Sequence, residues 1–334
     1  MRAPRLIAWL AAALLAAPAP AAGDTALVFV CNQDAATVSI IDTASDEVVG
    51  TIPVAFAPAS IAADRSGKAL YVTHPERGEI SVIDASKRQV VRSLNVGGMP
   101  FGIAVSHDDT LFVSDWNTNT VTAVEPQTGA RLRQVEVGRS PAGIVTSPRG
   151  ALIFVANRES DSITILNATT LAIVATLPVG RAPFALTVSP DATRIYVANV
   201  QSANISVIST ETLRPVATVH VGPMPYGVAT SNDGARLLVA NQSSGSVTLL
   251  DSRELRVLAS HKVGRFPEGI VVEPRGAKAY VANWFSGDVS VLDMQSGNEL
   301  KRIRTGSGSR ALVVIAGSPG KTSAPPAQSA ERRR

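Results

Sequence analysis

From Ala26 onward the chain is a succession of short apolar runs, rich in Val, Ile and Leu, separated by Gly, Pro, Asn and Asp. Such runs predict strands joined by turns, and no segment carries the 3.6-residue period of an amphipathic helix. The runs come in sets of four, as in "PYGVATS", "RLLVAN", "SVTLLD" and "RVLASHKVG". The second run of each set ends on Asn32, His74, Asp115, Asn157, Asn199, Asn241 and Asn283, at intervals of 42, 41, 42, 42, 42 and 42 residues.

A fixed period near 40 with strand patterning predicts radial repetition of one four-stranded unit. A linear stack would need capping units with polar outer faces, and none is present. The ends are instead complementary. The repeats begin at a second strand, "ALVFVCN", and finish on a first strand, "RALVVIAG". Pairing the two closes the ring and removes its open edges. The expected fold is an all-β, seven-bladed propeller of four-stranded antiparallel blades over residues 22–317.

The repeated "YVAN…VSVLD" and "VGxxPxG" segments resemble the YVTN-type β-propeller repeat family. The resemblance covers essentially the whole chain after its leader. It implies seven blades and an extracytoplasmic setting, and it fixes no activity. Related propellers range from lactonases to haem-d1 proteins, and a fold does not dictate a function. This chain departs from the pattern at His74, at Asp115 and at the last junction, "TGSGSRA", which lacks the usual proline.

The first 21 residues read differently. Arg2 and Arg5 precede an apolar run from Leu6 to Ala17 and an Ala19-Pro20-Ala21 site, the pattern of a secretory leader. The run is too short for a permanent membrane span, and a periplasmic location is expected. Residues 318–334 are rich in Pro, Ser and Ala and read as a disordered tail. The formal net charge is +4, but the leader carries +2 and the tail +3, which leaves −1 on the ring. The ring is therefore near neutral and offers nucleic acid no global attraction. Cys31 is the lone cysteine, so no disulfide framework exists and packing must supply stability. A monomer is expected.

Strand direction alternates outward in a blade. The "VGxxPxG" loop and the turn after the second strand therefore emerge on one face. Phe29, Tyr71, Phe112, Phe154, Tyr196 and Tyr280 repeat within second strands and read as core. The other aromatics after the leader are Phe56, Phe101, Trp116, Phe184, Tyr226, Phe266, Trp284 and Phe285, and all fall in the two loop types of that single face. Arg139, Arg181 and Arg265 stand two residues before a loop proline and ring the same mouth, with Arg158 and Arg310 nearby. Arginine stacks on aromatic planes and grips carboxylates or phosphates. The set predicts a binding face for a planar anionic ligand or a partner protein, with Trp116 and Trp284 exposed. Single-stranded nucleic acid fits less well, because Asp34, Glu76, Glu159 and Glu268 dilute the charge.

Catalytic chemistry is weakly signalled. No G-x-S-x-G, P-loop or H-E-x-x-H motif occurs, and no cofactor or metal is expected. Asn at a strand end ordinarily forms a turn by bonding backbone two residues on. The exceptions, His74 with Glu76 and Asp115 in the next blade, are the one set that could serve a lactonase-like hydrolase near the channel mouth. An accessory role with a redox cofactor rests on the family resemblance alone. The leading expectation is a non-catalytic binding or scaffold propeller.

Overall fold

The computed structural model describes residues 25–316. The leader expected over residues 1–21 and the tail expected over 318–334 lie outside these. The described residues form seven four-stranded antiparallel sheets. Their only helical elements are two single 3-10 turns, Pro75–Arg77 and Arg158–Ser160. In each sheet the first strand lines the axis and the fourth lies outermost. Blade 1 takes its inner strand, Ser309–Ile315, from the end of the chain and pairs it with Leu27–Asn32. The register runs from Leu27 opposite Ile315 to Asn32 opposite Ser309. The ring is closed by hydrogen bonds, as the unpaired strands at the two ends predict.

Middle strands are buried on both faces, so they read as apolar runs. Their period of two still operates, because successive side chains serve different neighbours. Phe29 and Cys31 pack towards blade 2, while Val28 and Val30 pack towards blade 7. Seven such cores lie between successive blades, the closing pair included. Burial pushes the Cys31 thiol up to about 12, so it packs as an inert apolar group. On the axis, backbones approach until glycine is required. A Cβ on Gly227 would stand 1.8 Å from the Glu268 carbonyl oxygen of the next blade.

The strand-end asparagines do not bond backbone two residues on. Asn157 is fully buried and donates from Nδ2 to Ser162 Oγ at 3.1 Å and Thr164 Oγ1 at 2.9 Å. Asn32, Asn199, Asn241 and Asn283 make the same pair of bonds, five and seven residues on. The amide thus ties the end of the second strand to the start of the third. It also presses on the "VG" glycine of the loop that leads into the same blade: a Cβ on Gly264 would lie 2.5 Å from Asn283 Cγ. Asn and Gly form one latch, which holds the loops of the aromatic face in register.

Candidate functional site

Two concentric rings of side chains sit at the axial mouth of that face. The residue after each loop proline, or after Ser309 in blade 1, gives the inner ring: Ala59, Phe101, Ala142, Phe184, Tyr226, Glu268 and Arg310. The residue after each strand-end latch gives the outer ring: Gln33, Pro75, Trp116, Arg158, Val200, Gln242 and Trp284. Repetition alone puts these fourteen positions in register.

Three of the seven inner-ring residues are aromatic. Phe101 stands 5.8 Å from Phe184 edge-on, and Phe184 stands 4.5 Å from Tyr226. Trp116 leans on Phe101 at 4.8 Å. The Arg158 guanidinium lies 5.8, 5.6 and 6.0 Å from the rings of Trp116, Phe184 and Tyr226. This cluster borders a cavity of about 280 Å³ on the axis, lined by glycine and alanine together with Ile, Val and Leu side chains of the inner strands.

The side of the mouth at Glu268 and Arg310 is polar. Arg310 Nε pairs with Glu268 Oε2 at 3.2 Å, and both side chains are nearly buried. Glu268 accepts a further bond from Gln242 Nε2 at 2.9 Å. Arg310 Nη1 donates to Gln33 Oε1 at 3.0 Å, and its guanidinium lies 5.6 Å from the Phe101 ring. Trp284 Nε1 donates to the same Gln33 oxygen at 3.2 Å. The contacts therefore run unbroken from Trp116 through Phe101, Arg310 and Gln33 to Trp284, so both indoles share one face.

The expectation that both tryptophans are exposed is corrected: these contacts leave each of them half-buried. The exposed aromatics of the face are Phe56, Phe266 and Phe285 at 56, 40 and 55 %. Phe285 packs on Phe266 at 5.6 Å and on Trp284 at 6.2 Å, with the Arg265 guanidinium 4.4 Å from its ring. Arg139 and Arg181 are exposed on the same rim. Among the described residues, Arg139, Arg158, Arg181 and Arg265 make no ion pair with a carboxylate. The rim thus keeps positive charge available to an incoming group.

The hydrolase set of His74, Glu76 and Asp115 does not assemble, because two of its members are already in structural use. His74 is fully buried, with Nδ1 against the Phe56 carbonyl oxygen at 3.1 Å and Nε2 against Ser81 Oγ at 2.9 Å. A carbonyl only accepts, so Nδ1 carries the proton and Nε2 accepts from the serine. The imidazole takes the place of the asparagine amide and keeps a bond to the residue seven on, but its second bond goes back to the loop carbonyl of Phe56. Burial lowers its pKa below the ordinary value and keeps it neutral. Asp115 accepts the amides of Asn117 at 3.0 Å, Thr118 at 2.8 Å and Met99 at 2.9 Å. Glu76 stands exposed on a 3-10 turn. Among the described residues no three His, Cys, Asp or Glu side chains gather to hold a cation.

Sequence reasoning missed Gln33 and Gln242. Their signal was positional: each occupies in its blade the place of Trp116 and Trp284.

Two family models match parts of the chain: "YNCE-like beta-propeller" over residues 8–111 and "Lactonase, 7-bladed beta-propeller" over residues 108–212. Both agree with the seven-bladed ring and with the YVTN-type repeat. No curated protein sequence matches the chain. Among solved structures it is similar to Kuenenia stuttgartiensis hydrazine synthase, at 21 % identity and a TM-score of 0.72, over 81 % of this chain and 92 % of that one. A putative 6-phosphogluconolactonase from Bacteroides uniformis ATCC 8492 gives 13 % and 0.73, over 88 % and 100 %. A dihydro-heme d1 dehydrogenase, NirN, in complex with DHE gives 16 % and 0.65, over 83 % and 63 %. At these identities the likeness is one of fold.

Proposed function

We propose that this chain is a periplasmic, non-catalytic binding or scaffold propeller. Its aromatic and arginine face receives a planar anionic ligand or a partner protein. The observation that carries this reading is the unbroken run of contacts from Trp116 to Trp284, flanked by exposed Phe56, Phe266 and Phe285. Exposed aromatics grouped on one face mark a binding surface. Arginines without carboxylate partners add attraction for an anion, and a nearly buried Arg310–Glu268 pair holds the Arg310 guanidinium against Phe101. The enzyme reading has less support, since His74 and Asp115 spend their hydrogen-bonding capacity on their own blades.

The test is capture from periplasmic extract by the purified protein, compared with Trp116→Ala/Trp284→Ala. The double variant is expected to keep its far-ultraviolet spectrum and to lose most of the captured material. Undiminished capture by a folded double variant would refute the assignment of this face.

A further inference from the structure

The closing seam differs from every other junction of the ring. Elsewhere at least one of the two residues before the loop proline is large: Phe56, Met99, Arg139, Arg181, Met224, and both Arg265 and Phe266. At the seam these positions are Ser307 and Gly308, with Ser309 in place of proline. Gly308 has φ +76°, and a Cβ there would meet Asp34 N at 2.6 Å. The loop is thus stripped of side chains, and the space they would fill is open. It is a cleft of about 420 Å³ floored by Gly306–Gly308 and walled by Trp284 and Phe285.

The cleft has a chemistry. The Phe285 ring is 55 % exposed and its position is fixed by Phe266, Trp284 and Arg265. A glycine floor opposite an aromatic wall admits a flat ring edge-first. Arg304 lines the same cleft, is exposed, and pairs with no carboxylate among the described residues. Ser307, in the floor of the cleft, is exposed. Asp34 also lines the cleft, and its carboxylate favours a donor on the ligand over a second anionic group.

From this geometry we infer that the seam cleft is a binding site for a small aromatic acid: a flat ring stacked on Phe285, with one anionic group held by Arg304. The inference deepens the proposed function, and it rests on the aromatic face being a binding face.

The experiment uses the ring protein with benzoate, 4-hydroxybenzoate and phenyl phosphate as probes, and neutral benzamide as control. Binding is read by saturation-transfer NMR and by quenching of tryptophan emission. The acids should bind at least about tenfold more tightly than benzamide, the value of one charge-assisted contact. Comparing benzoate with phenyl phosphate separates a carboxylate from a phosphate preference. Arg304→Gln should erase the acid's advantage and leave benzamide binding as it was. Ser307→Arg restores the side chain found at other junctions and should exclude every probe. Phe285→Ala should weaken all of them, which covers the case in which Ser307→Arg disturbs the loop. Undiminished benzoate binding in folded Ser307→Arg would overturn the inference. So would benzoate binding lost in Trp116→Ala but kept in Ser307→Arg, which would put the acid over the channel mouth and leave the face reading standing. Wild-type protein that binds no probe at millimolar concentration would also overturn it, whereas the face itself stands or falls on capture from extract.

Discussion

Gln33 accepts the Trp284 indole N–H at 3.2 Å across the seam between the last blade and the first. The same oxygen accepts Arg310 at 3.0 Å. One side chain therefore orients both a wall of the cleft and the cation of the mouth. Replacing Gln33 by Ala should leave two donors without their acceptor, at a cost of about 1–3 kcal/mol. The expected readings are a Tm lower by a few degrees and a red-shifted tryptophan emission. Wild-type values for both would mean that this contact does not order the rim.

The latch gives a second prediction. Gly264→Ala forces its Cβ to within 2.5 Å of Asn283 and should destabilise the fold by about 1–3 kcal/mol through overpacking. Asn283→Ala should cost about 1 kcal/mol through lost hydrogen bonds. Once the amide is gone, the alanine at 264 loses its two nearest neighbours, and of the three nearest atoms Asp288 Oδ1, at 2.6 Å, remains. The double variant should therefore be clearly less destabilised than the two singles combined. Urea denaturation measures this, and strict additivity would show that the pair does not act as a unit.

Blade 2 makes the converse case. It carries His74 where five blades have Asn, and Ala55 where most junctions have the "VG" glycine. His74→Asn alone should clash, and His74→Asn/Ala55→Gly should restore stability. A double variant no more stable than His74→Asn would sink the idea that the two positions are matched.

His74 also predicts a pH dependence. Burial, opposed by the hydrogen bond to Phe56, lowers its folded-state pKa below the ordinary 6.5. The unfolded chain therefore takes up this proton first as pH falls. The stability held by neutral His74 is complete above about pH 6.5 and is lost as pH falls from there towards the folded-state value. Stability curves of wild type and His74→Asn/Ala55→Gly should run parallel above about pH 7 and separate below about pH 6, with the wild type falling faster. Curves parallel throughout would show that His74 does not titrate differently on unfolding.

A third contact across the seam is ionic. Lys278 Nζ lies 2.8 Å from Asp46 Oδ1, and Tyr280 OH donates to the same carboxylate oxygen at 2.6 Å. Burial first, then this hydrogen bond, raises the Tyr280 pKa and keeps the phenol protonated. Asp46→Ala strands a mostly buried ammonium and should cost about 3 kcal/mol. Hydrogen exchange should speed up first in Leu27–Asn32 and Ser309–Ile315. Loss of protection spread evenly over all blades would show that Asp46 does not hold the seam.

The ring was legible in the sequence because each blade repeats one pattern, and repetition reports strand number, register and face together. "RALVVIAG" revealed the closing strand because it lacked partners of its own. The site was legible only in outline. Which loop residues share a face follows from topology, so Phe101, Phe184 and Tyr226 could be grouped. The pairing of Arg310 with Glu268 depends on side-chain reach between blades, which no spacing encodes. His74 misled for a related reason: its imidazole takes the buried strand-end place of asparagine and bonds the residue seven on, so a structural substitution resembled a chemical one.

The register that sets Leu27 opposite Ile315 has a mechanical consequence. This pair lies at the end of the sheet remote from Asn32 and Ser309, on the back of the disc. Anything fused at either end of the described chain would hang from that side, and a tether there would display the aromatic rim outward. The two strands are antiparallel with their outer ends side by side. Tension applied through both ends at once would therefore peel the seam one residue pair at a time instead of shearing it whole.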